Sequence, residues 1–222
     1  MKRSVLAGLC LILLVSVNGT GSVLSATLPE NYTYEQPPVN EAESQKLKPS
    51  ELVVLYPMSA EDISAIEHIV PKVPVNVNGS WYEAEEITLF NGQRLFFTLN
   101  RSGGLYAFTS AVEMEVFLVS EYGDVFGKSL SPETRSLDDT FSTLHENWMY
   151  GGWDIEVAPF ARVEALPGYM NNAISSAVIG SDAPLTLWEY ASYQGNSLTI
   201  PAGSAYFALA LYGFNDRASS IS

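Results

Sequence analysis

A six-residue run occurs twice, and it constrains this chain more than any other feature. Asn171-Asn172-Ala173-Ile174-Ser175-Ser176 returns 44 residues later as Asn215-Asp216-Arg217-Ala218-Ser219-Ser220. Each copy reads amide or acid twice, two unrestricted positions, then two serines. One copy is an ordinary polar turn, because Asn, Asp and Ser bond readily to their own backbone. Two copies in register point to a duplicated unit. Their side-chain oxygens, with no imidazole or thiolate between them, suit Ca²⁺ better than zinc or copper.

A second repeated feature lies upstream of each run. Trp188 and Tyr193 stand five apart, with Gly195 two residues later. Aligning the two runs places Tyr150-Gly151-Gly152 opposite Tyr193-Gln194-Gly195. The interval from Gly152 to Asn171 is 19 residues, and that from Gly195 to Asn215 is 20. Residues 141–183 and 184–222 therefore read as one unit duplicated. Helical periodicity is missing after Phe141, and short alternating segments with Gly and Pro turns favour an antiparallel all-β domain. Leu185, Leu187, Leu198 and Ile200 alternate with polar neighbours, as an inward face would.

The aromatic corner with its glycine, followed by the closing Asn/Asp-Asn/Asp-x-x-Ser-Ser run, resembles the βγ-crystallin module. The resemblance covers residues 141–222. It implies an all-β C-terminal domain, a βγ-crystallin-like sandwich of two Greek keys, here preceded by a small α+β unit. It also implies calcium held in crossed sites, each run using a hydroxyl from the other. One site would take Asn171 and Asn172 with Ser219. The other would take Asn215 and Asp216 with Ser175. The carbonyl of Glu189, just after the corner aromatic, is a further candidate ligand. Ser176 and Ser220, at the sixth positions, are expected to tie down backbone instead.

Two departures from the pattern weaken this expectation. The first run carries no acid and the second only Asp216, so calcium affinity should be low, about 10⁻⁴ M or weaker as in extracellular modules. The first corner has His145 where an aromatic is expected, and Trp148 or Trp153 is the candidate to fill that volume.

The rest of the chain sets the context. Lys2 and Arg3, the apolar stretch Val5–Val17 and the small residues around Ser25 and Ala26 read as a secretory signal over 1–26, so export is expected. Cys10, the single cysteine, lies within it, leaving a mature chain without disulfides or thiolate metal sites. All 25 acids but only nine of the 11 Lys and Arg follow residue 26, giving −16. Such a charge disfavours nucleic acid and anionic membrane as partners after signal removal. Residues 27–50 read as a flexible leader and 124–140 as a linker. Between them, 51–123 reads as a small α+β unit of unknown role. Leu52–Tyr56 is an expected strand and Ser59 a helix cap. Ile87–Phe90 and Arg94–Leu99 are expected to form a hairpin across Asn91-Gly92. Val112, Val116, Val119 and Tyr122 mark an expected helix ending at Gly123.

Other constellations carry less. His68 and His145 have no third group placed by spacing, so no enzyme is expected. Glu83, Glu85 and Glu86 fit an exposed turn. Trp148, Tyr150 and Trp153 could stack on sugar, although core packing is the commoner use of such residues. Besides a calcium-stabilised exported protein, the same fold would serve a secreted inhibitor or toxin, or a cell-wall or glycan-binding module, so an extracellular protein or glycan partner stays open. Four glycosylation sequons begin at Asn18, Asn31, Asn78 and Asn100.

Overall fold

The computed structural model describes residues 47–123 and 141–222. The signal run, the leader up to residue 46 and the linker lie outside the described residues.

Residues expected to start with a strand start with a helix instead. Helix α1 spans Pro49–Leu55. Pro49 presets the first turn, and Glu51 accepts the Lys48 N–H at 2.8 Å, so local capping outweighs the β-branched pair Val53-Val54. Helix α2 spans Ala60–Ser64 and is capped as expected, Ser59 Oγ accepting the Asp62 N–H at 3.0 Å. Strands β1 (Val75–Val77) and β2 (Ser80–Tyr82) pair antiparallel.

The expected hairpin across Asn91-Gly92 does not form. Ala84–Phe90 is a 3₁₀ helix, with Ile87 buried and the Glu86 carboxylate accepting the Glu83 N–H at 2.9 Å. Strand β3 (Phe96–Leu99) pairs antiparallel with β4 (Leu105–Phe108). The turn between them is built on Asn100, whose Oδ1 accepts the N–H groups of Ser102 and Gly104 at 3.1 and 2.8 Å. Helix α3 (Ala111–Tyr122) does end at Gly123, where φ is +74°. Its buried stripe, however, is Ala111, Met114 and Leu118, while Val112, Val116 and Val119 face solvent. The helix has two apolar stripes, and periodicity cannot say which one meets the sheet.

The C-terminal half supplies β5 (Ser142–His145), β6 (Asp154–Val157), β7 (Ser176–Val178), β8 (Leu185–Tyr190), β9 (Gln194–Ile200), β10 (Ala205–Tyr206) and β11 (Ser220–Ile221). A four-stranded sheet has the order β10-β7-β5-β6, and a seven-stranded sheet has the order β11-β8-β9-β3-β4-β1-β2. The repeats exchange strands. β10, from the second repeat, pairs with β7 of the first, and Val163 of the first repeat bridges to Ile221 in the other sheet. These crossings make each repeat a Greek key shared between both sheets.

Residues 51–123 do not stand apart. β3 adds to β9 in parallel, with Phe96, Phe97 and Thr98 opposite Ser197, Leu198 and Thr199. Alternation along β3 then feeds two cores. Phe97 and Leu99 join Val75, Leu105, Leu144, Ile155, Leu187, Leu198 and Ile200 between the sheets. Phe96 joins Leu52, Phe108, Met114, Leu118, Trp188 and Tyr193 on the opposite face, beneath α1 and α3. The result is three layers: helices, a seven-stranded sheet and a four-stranded sheet. None of the described helices is long and apolar enough to cross a membrane.

Candidate metal centre

Each repeat folds its corner by the same local device. Met149 and Tyr150 have φ of +56° and +60°, and Ser192 and Tyr193 have +55° and +58°. The glycines that follow also have positive φ. A Cβ on Gly152 would meet Glu146 Oε2 at 2.5 Å, and one on Gly195 would meet Tyr190 Cδ2 at 2.8 Å. Glycine is therefore required by conformation and by space. The sixth-position serines hold these corners shut. Ser176 Oγ donates to Asn147 O at 2.6 Å and accepts from Tyr150 N–H at 3.1 Å. Ser220 Oγ donates to Tyr190 O at 2.7 Å and accepts from Tyr193 N–H at 3.1 Å. Inside the corners, Trp188 meets Tyr193 edge-on at 6.2 Å. His145 meets Tyr150 in the same way at 5.5 Å. His145 thus takes the aromatic role itself. Trp148 is exposed and Trp153 packs into the inter-sheet core, so neither replaces it. That division also prevents Trp148, Tyr150 and Trp153 from forming one flat platform.

The two runs meet with matching geometry. Asn172 N–H donates to Ala218 O at 2.9 Å, and Asp216 N–H donates to Ile174 O at 3.0 Å. Asn172 and Asp216 both sit at positive φ, +56° and +52°. Their side chains then cross. Ser175 Oγ donates to Asp216 Oδ1 at 2.9 Å, and Ser219 Oγ lies 3.3 Å from Asn172 Oδ1. Asn215 Nδ2 donates to Asp216 Oδ2 at 2.6 Å. Asn171 is exposed and donates its N–H to Pro167 O at 2.9 Å.

Glu189 is placed on the Ser219 side, because Ser219 N–H donates to the carbonyl of the preceding Trp188 at 2.8 Å. Its carboxylate pairs with Arg217 and accepts Asn196 N–H at 3.1 Å. By the same logic Glu146 lies on the Ser175 side, since Ser175 N–H donates to His145 O at 2.9 Å. The two crossings therefore differ in charge. The Ser175 crossing carries the carboxylate of Asp216 itself. Asn172 and Ser219 have Glu189, already neutralised by Arg217. Among the described residues no three His, Cys, Asp or Glu side chains converge. The donor set is carboxylate, amide and hydroxyl oxygen, which fits a hard cation of modest affinity and fits zinc poorly.

Residues from the N-terminal half also reach this region, and the repeat pattern gave no sign of them. Arg94 is 8% exposed and donates from Nε to Gly195 O and from Nη2 to Tyr193 O, both at 2.7 Å. Its guanidinium lies 5.1 Å from the Phe96 ring centre and 5.3 Å from that of Trp188. Burial lowers its pKa to about 10. His68 Nε2 lies 3.0 Å from both Phe90 O and Gln93 O, and Nδ1 faces Asn196 Nδ2 at 3.4 Å. Those contacts fit a proton on Nε2, and burial depresses the imidazole pKa. The histidine is a structural link between halves, with Asn196 leading on to Glu189 and Arg217.

No family model matches the chain, and no curated protein does. Solved βγ-crystallin domains are similar to it. One, described under the evolution of the eye lens βγ-crystallin domain fold, is 20% identical, with 43% of this chain and 90% of that chain covered and a TM-score of 0.35. A βγ-crystallin from an archaeon is 18% identical, covering 36% of this chain and 93% of its own, with a TM-score of 0.32. One from Ciona intestinalis is 20% identical, covering 37% and 96%, with a TM-score of 0.33. The double Greek-key sandwich of the C-terminal part is read from its own strand exchange and corners.

Proposed function

We propose that this chain is an exported protein whose double Greek key binds calcium in two crossed sites, the ion acting as a structural brace. Export rests on the signal-like stretch at 1–26. The observation that carries the calcium reading is the exchange of hydroxyls between the runs, Ser175 to Asp216 and Ser219 to Asn172. Asn171, Asn172 and Ser219 would hold one ion, with the Glu189 carbonyl beside them. Asn215, Asp216 and Ser175 would hold the other. Bound calcium would supply positive charge against the oxygens of each loop, and binding to the folded state alone would raise stability by mass action. Because the Ser175 site contains the carboxylate of Asp216 and the Ser219 site only amide oxygen and a hydroxyl, the Ser175 site is the tighter one.

Calorimetric titration of the full-length protein and of Ser175→Ala and Ser219→Ala tests this. Each substitution should weaken one site by roughly tenfold, the value of one hydrogen bond to a charged partner. The Ser175 change should remove the stronger phase. Unchanged calcium affinity in both variants would reject the crossed sites.

A further inference from the structure

The two repeats are alike in backbone and opposite in what covers them. In the second, the corner and the outer edge of β9 are occupied by residues 56–99 of the same chain. β3 lies along the edge, and Ser197 N–H donates to Leu95 O at 3.3 Å. Arg94 fills the corner carbonyls, Met58 Sδ accepts Gly195 N–H at 3.1 Å, and Tyr56 meets Tyr193 edge-on at 5.1 Å. Tyr193 is left 3% exposed. In the first repeat the equivalent edge is β6 and the equivalent corner is Trp148-Met149-Tyr150. No described strand pairs with the outer side of β6. Trp148, Met149 and Tyr150 are 68, 62 and 40% exposed.

From this internal template we infer that the β6 edge and its corner bind an extended segment of another protein, one that carries an arginine ahead of an apolar run, as Arg94 precedes Leu95 and β3. Strand addition at a free edge is a common recognition mode, with backbone bonds giving affinity and side chains giving selectivity. The phase of the edge follows from Glu146 N–H, which donates to Trp153 O at 3.0 Å. Hydrogen-bonded pairs then fall at Leu144 with Ile155, so the free N–H groups belong to Asp154 and Glu156. Both carry acids and both are exposed. With Glu146 they give the edge a negative rim that β9, bearing Ser197 and Thr199, lacks. An arginine at the corner would meet the carbonyls of Tyr150 and Gly152 and also three carboxylates nearby. The same acids reject a second copy, because two β6 edges would set like charges together. The charge of the edge selects a basic segment, which the inference assigns to a different protein. None of this depends on the calcium reading.

The test uses the full chain and a synthetic peptide copying Gln93–Leu99 with two added lysines for solubility, followed by fluorescence anisotropy. Binding is expected. Arg→Ala in the peptide should weaken it by about tenfold, as should Asp154→Lys with Glu156→Lys in the protein. Glu156→Pro, which removes an outward N–H without touching the core, should abolish it. Absence of binding, or binding that survives these three changes, overturns the inference, since the peptide would then be absent or seated elsewhere. Retention on insoluble polysaccharide that Trp148→Ala removes, without peptide binding, would overturn it in favour of a sugar platform.

Discussion

Strands β6 and β9 occupy equivalent places in the two repeats, yet they solve the problem of a sheet edge differently. β6 alternates exposed and buried residues, with Asp154 and Glu156 outward and Ile155 and Val157 inward. β9 is buried on both faces from Gly195 onward. Its outward residues, Ser197 and Thr199, are neutral, so β3 can lie against them and α1 and α3 can cover the sheet. One edge is kept apart by charge, and the other is closed by extending the sheet. The two edges of a duplicated module thus differ in the side chains that its equivalent strands present, acids on β6 and neutral hydroxyls on β9.

The largest expected effect breaks that comparison directly. Thr199→Pro removes an N–H that faces β3 and disturbs the Thr186–Thr199 hydroxyl contact at 3.1 Å. It should cost at least about 3 kcal/mol, the scale of proline inside a sheet. Glu156→Pro, at the matching position of β6, should cost under about 1 kcal/mol, since its N–H faces outward. Urea unfolding of both variants measures the difference, and equal costs would mean that the two edges are not distinct.

Arg94→Ala sharpens the same contrast at the corners. It leaves Gly195 O and Tyr193 O without their buried donor and strips packing from Phe96 and Trp188. A loss of about 2–3 kcal/mol is expected. Among the described residues the first corner has no such clamp, so Trp148→Ala should change stability by no more than about 0.5 kcal/mol, as at an ordinary surface position. Comparable losses in the two variants would show that the second corner stands without Arg94.

The C-terminal architecture was legible because a repeat reports itself. The glycines, the tyrosine two residues before each and the six-residue runs recur at nearly equal spacing, and each recurrence has a local mechanical reason. The crossing of Ser175 and Ser219 followed from the resemblance, whereas Arg217 at an unrestricted position gave no hint of its pairing with Glu189. The N-terminal half was harder to read. Its expected strand at Leu52–Tyr56 and hairpin at Ile87–Leu99 rested on apolar content and on Asn91-Gly92. Capping by Glu51 and Glu86 decided both segments otherwise. The joining of β3 to β9 is a contact about 100 residues apart in sequence, and no local pattern announces it.

Histidine titration gives the smallest and most diagnostic effect, because His68 is the seam between the halves. Its Nε2 proton is shared by Phe90 O and Gln93 O, and its Nδ1 faces the donor side of the Asn196 amide. A second proton on Nδ1 would set donor against donor. Burial holds the folded pKa below the unfolded value of 6.5, although the hydrogen bonds to Phe90 O and Gln93 O, and then Glu189, pull upward in smaller measure. The unfolded chain therefore binds more protons in the window below pH 6.5, so stability falls as pH falls through it and recovers on returning to neutral. Burial of His145 acts in the same direction. Urea midpoints at neutral pH and near pH 5.5, for the protein and for His68→Gln, should show a shallower slope in the variant, with a total loss smaller than that of Arg94→Ala. An unchanged slope would move the acid sensitivity to the first repeat, where His145 packs against Tyr150.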